Sequence, residues 1–478
     1  MTDLVLPPSW PAKGVPAPDH RSFWLREAFA REPDDGRSPA LEGALRCDVC
    51  VVGGGFTGLW TALEILRRAP GTDIVLIDAD VCGGGASGTN AGFLMPLWGR
   101  FGSLLGISHN HEEARHLGEE SARAVEDILA FADLHGLDIE YRRASWLWAA
   151  TSPAQGEAWR STVEGLAKAG VEPLRELSRE EAGQAVGTEH HFGGVVDPGC
   201  ATLQPALLAR GLRRVALDQG VRIHEHTPLV RLARGRTGPR VTTPRGGIVA
   251  DRVVLAVNAW AANIEDLGRT MVTLASDTLV TKPAPHALEG LGWDGATAVT
   301  DSRPRLNYYR TTHDGRLLFG KGGTGTTRAA ESRLWGAPRR HAEVRRQLRR
   351  LFPTLAGLPV DSAWTAPVEY SVTSLPFAGT LKTVPGVHYA AGYSGDGLAA
   401  SRMMARVLAS LTLGERDEWS RSAFTRVPDR TIPGGPIRTL GAGLTLSALG
   451  AAEAYQDRGR PVPVPIRLAT SLTRVGGH

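Results

Sequence analysis

Val51-Val52-Gly53-Gly54-Gly55-Phe56-Thr57-Gly58-Leu59-Trp60 decides how this chain begins to fold. The apolar run Cys47–Val52 reads as a strand. Thr57–Arg68 reads as a helix stopped by Ala69-Pro70-Gly71, and Ile74–Ile77 as a second strand. Strand, glycine turn, helix and strand make a βαβ unit. Glycines at 53, 55 and 58 stand in the spacing G-x-G-x-x-G. Gly53 permits the tight turn, Gly55 lets a pyrophosphate approach the backbone, and Gly58 lets the helix pack closely on the sheet. The helix N-terminus then offers free N–H groups and a partial positive charge to the phosphates. Asp78 closes the second strand 25 positions after Gly53, against a usual separation of about 20. The surplus fits the long turn Arg67–Thr72. A carboxylate there accepts hydrogen bonds from a ribose hydroxyl and repels a 2′-phosphate. The unit is of the Rossmann type, and the expected fold class is α/β.

Two more glycine clusters extend this unit. Gly83-Gly84-Gly85-Ala86-Ser87-Gly88-Thr89-Asn90-Ala91-Gly92 follows the second strand directly. A second small-residue loop suits a ligand longer than one nucleotide, lying along the domain. Gly392-Tyr393-Ser394-Gly395-Asp396-Gly397-Leu398 comes far downstream, between the apolar run Val387–Ala391 and a helix expected over Ala399–Leu411. It repeats the pattern of strand, glycine turn and helix N-terminus.

Composition excludes several other readings. The 478 residues include 42% hydrophobic and 22% charged residues, as in an ordinary globular protein, and 57 glycines. Length allows two packed domains. Net charge is only +4, and nearly all the positive charge is arginine, so no nucleic-acid partner is read from it. The densest basic run, Arg339 to Arg350, carries Val344, Leu348, Leu351 and Phe352 at helical spacing and reads as an amphipathic helix with a solvated face. Cys47 and Cys50 lie in a strand that points them to opposite faces, so a redox or zinc pair is not expected. His190-His191 and His224/His226 lack a recognisable third ligand, and no metal is expected. Prolines at 7, 8, 11, 16 and 18 interrupt the start of the chain, which has no signal-peptide core. With no apolar run of roughly 18 residues either, a membrane span is not expected and the default is a cytoplasmic enzyme. Gly441–Ala454 is apolar and reads as a packed helix. Oligomeric state is left open.

Together the segments resemble the FAD-dependent D-amino acid oxidase-like superfamily, and within it the gamma-glutamylputrescine oxidoreductase branch. The resemblance starts at Ser22-Phe23-Trp24-Leu25 and Leu41-Glu42-Gly43 and is close over Val51–Trp60. It continues through Gly85–Gly92, Tyr308-Tyr309-Arg310, Arg316–Gly320, Trp364, Leu375-Pro376 and Gly392–Leu398. It implies a Rossmann-type FAD domain and a substrate domain on an antiparallel sheet, both discontinuous. The FAD part is expected at 45–110, 200–265 and 360–430, and the substrate part at 111–199 and 266–359. Residues 1–44 form an arm and 431–478 a helical extension.

By motif and resemblance, the FAD contacts are Gly53, Gly55, Phe56, Thr57, Gly58, Asp78, Ala79, Gly85, Ala86, Ser87, Asn90, Ala91, Gly92, Leu229, Ala256, Gly395, Asp396, Gly397 and Leu398. A helix N-terminus aimed at the flavin stabilises the negative charge that builds on the reduced ring. No cysteine follows Cys200, so a C-terminal cysteinyl link is absent and the expected FAD is non-covalent.

Other positions depart from the family. Thr89 stands where Arg is frequent, Ala91 where Gly is, and Asp396 where His is. Leu318 stands where some relatives carry an oxygen-activating Lys, with Lys321 three residues on. The implied reaction is oxidation of an amine or amino acid beside its nitrogen, with oxygen as acceptor. Alternatives are a 2-hydroxy-acid dehydrogenase, an amine dehydrogenase with another acceptor, and a non-catalytic FAD module. Four residues are candidates at the reaction centre. Arg310 offers a bidentate fork to a substrate carboxylate, Tyr308 shares its strand face, and Lys321 and Asp396 stand near the ring.

Overall fold

The computed structural model describes residues 4–5, 21–32, 38–293, 295–327, 338–429, 431–432 and 435–471. The βαβ unit forms as the glycine spacing requires. Gly43–Val52 and Ile74–Ile77 are parallel strands joined by the helix Phe56–Arg68. The helix starts one residue earlier than expected, and the first strand four residues earlier, because Gly43–Leu45 pair with Gly246–Ile248. Arg222–His224 extends the parallel sheet on one side. Gly246–Leu255 and Val387–Ala391 extend it on the other. The antiparallel ribbon Arg231–Arg234/Pro239–Thr243 and the strand Phe377–Thr380 complete this sheet.

The second sheet runs in spatial order Val360–Ser371, Met271–Thr281, Leu317–Thr327, Asn307–Thr311, Thr297–Asp301, Arg142–Ala149, Gly194–Thr202 and Phe93–Leu94. Asn307–Thr311 and Leu317–Thr327 form a hairpin, with Arg310 opposite Leu318. Most of its pairings are antiparallel. Thr297–Asp301 and Arg142–Ala149 run parallel, which the long stretch of chain between them permits.

The second sheet takes in several stretches expected in the FAD part, Phe93–Leu94 and residues 200–202 among them. Residues 360–371 were grouped with the FAD part, yet they pair along their length with Met271–Thr281 in the second sheet. The long helix His111–Leu134 packs on the helix Gly397–Leu413, and Phe131 meets Trp60 edge-on at 4.7 Å.

Two peripheral segments differ in packing. In the arm, Ser22 caps the helix Phe23–Arg31 and donates to the Gly88 carbonyl at 2.5 Å. Phe23, Trp24, Leu25 and Ala28 are buried against Ala206, Val280, Leu318 and Trp364. Burying each such large side chain contributes about 1.5–3 kcal/mol, so the arm is an integral brace on the second glycine loop. The C-terminal apolar stretch is helical over Gly435–Asp457 but is not packed throughout, since Leu440 and Leu444 are exposed. Among its described side chains, Ala452 and Glu453 near the far end are the buried ones. In the basic helix Pro338–Leu351, Val344, Leu348 and Leu351 are buried and Arg345, Arg346 and Arg349 exposed, as the spacing implied.

Candidate active site

One elongated cavity runs between the sheets, lined at one end by the first glycine turn and at the other by Gly395–Leu398. At the first end the wall is backbone. Gly53 has φ +111°, and a Cβ there would lie 2.3 Å from the Ala256 carbonyl oxygen. A Cβ on Gly55 would meet Ser87 Oγ at 2.9 Å. Gly55 occupies the cap position of the helix and carries no side-chain cap, while Ser87 Oγ accepts from the Phe56 N–H at 2.8 Å. A glycine-built cradle at a helix N-terminus whose cap residue carries no side chain is what a pyrophosphate needs.

Asp78 lines this end, but its carboxylate already accepts the Gly54 N–H at 2.7 Å and the Asp80 N–H at 2.8 Å. Burial pushes its pKa up to about 7. It therefore fastens the turn. The second glycine loop is held rigid from within and without. Asn90 Nδ2 donates to the Ala86 and Ser87 carbonyls, each at 3.0 Å, and Trp364 Nε1 donates to the Thr89 carbonyl at 2.9 Å.

Most of the expected cofactor positions line the cavity, from Gly53, Gly55, Phe56 and Thr57 to Gly395, Gly397 and Leu398. Gly58 and Gly92 do not. Gly58 lies under the turn, where a Cβ would stand 1.9 Å from the Gly53 carbonyl oxygen, so it is required for packing. Gly92, at φ +73°, crosses beside the Leu203 carbonyl. Leu229 and Ala256 line the wall as expected. Strand Gly246–Leu255 ends before Ala256, which begins the turn into the short helix Asn258–Asn263. The cavity fits FAD: a cradle any side chain would fill at one end, and the Asn258 Oδ1 acceptor, buried and without a partner among the described residues, on its wall.

The other end is crowded with polar side chains. Tyr308 reaches the cavity, its hydroxyl bonded to Ser276 Oγ at 2.8 Å and Thr278 Oγ1 at 2.7 Å. Burial raises its pKa, so it stays neutral. Tyr370 lines the same space, and burial pushes its pKa up to about 12. Asp396 faces the cavity and accepts from Arg100 Nε at 2.6 Å. It stands at the cap position of Gly397–Leu413 without a side-chain cap bond, so its carboxylate serves the cavity and not the helix. Tyr393 joins the two ends, its hydroxyl 2.6 Å from Thr57 Oγ1.

Two expected reaction-centre residues are elsewhere. Arg310 is buried, and its guanidinium donates to the carbonyls of Ala91 at 2.6 Å, Leu203 at 2.7 Å and Thr311 at 3.1 Å while stacking on Trp24. Burial pulls its pKa down to about 10. Its fork is filled by backbone, and it ties the second glycine loop to the hairpin. Lys321 is fully buried on the opposite face of its strand, bonded to the Arg305 carbonyl at 2.7 Å and 3.3 Å from Glu453 of the C-terminal helix. Neither Arg310 nor Lys321 lines the cavity.

The residues that replace them, Arg100, Tyr370 and Glu369, were not singled out from the sequence. Each carried a faint signal. Arg100 is a lone charge in the apolar run Phe93–Phe101, and Glu369 a lone acid in the strand Val360–Ser371 beyond Trp364. His191 is a satisfied core histidine, its Nδ1 facing the Ala182 carbonyl at 2.7 Å and its Nε2 the Tyr309 hydroxyl at 2.6 Å. Among the described residues no helix is long and apolar enough to cross a membrane.

Residues 48–411 match the DAO family of FAD-dependent oxidoreductases. The chain belongs to that family. A probable oxidoreductase, OrdL, of Rhizobium meliloti is 30% identical over 83% of this chain and 90% of its own length. The gamma-glutamylputrescine oxidoreductase of Escherichia coli is 29% identical over 90% of this chain and 96% of its own. The crystal structure of glycine oxidase from Geobacillus kaustophilus shares the fold with a TM-score of 0.65 at 20% identity, covering 80% of this chain and 99% of that one. As a DAO-family member the chain is an FAD-dependent oxidoreductase.

Proposed function

We propose that the protein oxidises an amine or amino acid at the carbon next to nitrogen, with FAD held non-covalently and oxygen taking the electrons as hydrogen peroxide. The observation that carries this reading is the room at the Gly395 end. It holds one ion pair, Arg100–Asp396, and two neutral phenols, Tyr308 and Tyr370, beside the apolar side chains of Phe93, Met95 and Leu306. A site of this kind accepts a compact charged substrate and orients it with few polar groups. The E. coli relative is named for an aminated substrate, which supports the same class.

FAD supplies a two-electron acceptor for hydride when bound. The chain's residues do the rest. Asp396 attracts a substrate ammonium. The amine must lose a proton before its lone pair can form the C=N bond as hydride leaves the adjacent carbon, and solvent takes that proton. Arg100 Nε is engaged by Asp396, and the remainder of its guanidinium is the fork placed to hold a substrate carboxylate, the role expected of Arg310. Tyr308 and Tyr370, neutral across the physiological range, donate hydrogen bonds without adding charge. Water then adds to the released imine, giving a carbonyl and ammonia or a smaller amine.

The test is anaerobic addition of single amines, amino acids and 2-hydroxy acids to the yellow protein, followed at the oxidised flavin band and then in air. Bleaching by an amine, with air restoring the colour and forming peroxide, is the expected outcome. Bleaching that air does not restore replaces oxygen by another acceptor. Bleaching by hydroxy acids alone overturns the amine reading.

A further inference from the structure

The cavity has four acids on its wall, and two of them, Asp78 beside the first glycine turn and Glu369, have no cation against them among the described residues. Asp396 is paired with Arg100 and Asp80 with Arg21, each at 2.6 Å, and Asp78 accepts two backbone N–H groups at the nucleotide end. Glu369 has no arginine, lysine or histidine against it among the described residues. It is 1% exposed, near the end of the strand Val360–Ser371, and lines the cavity. Its Oε1 accepts from Asn258 Nδ2 at 2.8 Å and from the Tyr393 N–H at 3.3 Å. The titratable groups beside it are Tyr370 on its own strand and Tyr393 in the glycine loop, both held neutral by burial. Burial, only partly offset by these hydrogen bonds, pushes the Glu369 carboxyl up to about 7. Asn258, at φ +45°, presents its amide to Glu369 and leaves its Oδ1 unsatisfied. The pair thus forms a polar patch on the wall of a cavity whose nearby cation, Arg100, is already engaged.

We propose that Glu369 takes up a proton when the bound cofactor is reduced, so that this side chain ties the cofactor's potential to pH. The inference rests on FAD filling the cavity and not on which substrate reduces it. Reduction by a hydride brings two electrons and one proton, which adds one negative charge to the cavity. A second negative charge on Glu369, desolvated and without a cation, is opposed by the first. One proton from solvent converts the Glu369 carboxylate to the acid and restores the charge balance of the wall. No further reactant is needed. Glu369 is a positioning residue for charge, with no bond to substrate required.

The experiment is the midpoint potential of the FAD-loaded protein above pH 8, where Glu369 is ionised before reduction, with an indicator dye as mediator, for the native protein and Glu369→Gln. Glutamine keeps the shape and the Oε1 acceptor but cannot ionise. The native protein is expected to take two protons per two electrons. That shifts its reduction equilibrium about a hundredfold per pH unit, or roughly 60 mV. Glu369→Gln is expected to shift it about tenfold, or roughly 30 mV. The spectrum of the reduced protein shows whether the second proton sits on the ring, and the reduced-minus-oxidised infrared spectrum shows whether a carboxylic-acid C=O stretch appears. A slope of about 30 mV in the native protein, a second proton on the ring, or an infrared band that survives Glu369→Gln each overturns the proposal. If Glu369→Gln does not retain FAD, Glu369→Asp replaces it. A displaced C=O band in that variant supports the proposal, and an unmoved one overturns it.

Discussion

The two ends of the cavity are built by opposite means. At the Gly53–Gly58 turn the wall is made mainly by leaving side chains out, and what shapes it is backbone, the Ala256 carbonyl and the side chains of Asp78 and Ser87. At the Gly395–Leu398 end the wall is made by bringing side chains in. Arg100 follows the second glycine loop, Tyr308 comes from the central hairpin, Glu369 and Tyr370 from an edge strand, and Asp396 from the last glycine turn. The first construction tolerates no added atom. The second tolerates changes of shape and fails through charge.

The largest expected effect tests the first half of that contrast. Gly53→Val places a β-branched side chain at φ +111° against the Ala256 carbonyl oxygen. Strain of up to about 3 kcal/mol corresponds to FAD affinity reduced roughly a hundredfold, and the protein should purify colourless. Titration of the apoprotein with FAD, followed by flavin fluorescence, measures it, and undiminished affinity would mean that the turn yields and the cradle is not rigid.

Next comes Arg100→Met, which leaves Asp396 without its partner at the substrate end. Breaking a buried pair costs about 3–5 kcal/mol, reduced here because the cavity gives water access. A roughly 10- to 100-fold rise in the substrate concentration needed for anaerobic bleaching is expected, with FAD retained and Arg100→Lys recovering part of the loss. Equal loss of FAD would erase the division between the two ends.

The smallest effect concerns a residue outside both. Lys321→Met removes a buried hydrogen bond to the Arg305 carbonyl and an ion pair with Glu453. A loss of about 1–3 kcal/mol is expected, read as a lower Tm with the rate of flavin bleaching unchanged. A slower bleaching rate at unchanged Tm would return Lys321 to the reaction centre.

The same division separates what was legible in the chain from what was not. Ile74–Ile77 and Val387–Ala391 have the bounds their apolar runs suggested. Those features rest on neighbouring residues. Arg310 shows the limit. Its strand, its face and its partnership with Tyr308 followed from alternation, but the sequence could not show that the Ala91 and Leu203 carbonyls would arrive to fill its fork. Strand alternation placed Lys321 on the face away from Leu318, and the helix Gly435–Asp457 then covered it with Glu453. Strand Val360–Ser371 is expected in the FAD part by resemblance, and its register with Met271–Thr281 puts it in the second sheet.

The amino-acid order alone was enough for the nucleotide-binding half, because a glycine turn between a strand and a helix is a local solution to a local steric problem. The tertiary structure decided which arginine faces the cavity, that Glu369 stands on the same wall with no cation against it among the described residues, and that Leu440 and Leu444 of the C-terminal helix are exposed while Ala452 and Glu453 are buried. Each of these depends on a buried charge and the partner that meets it. The partner comes from a segment far away in sequence, and no local periodicity encodes that meeting.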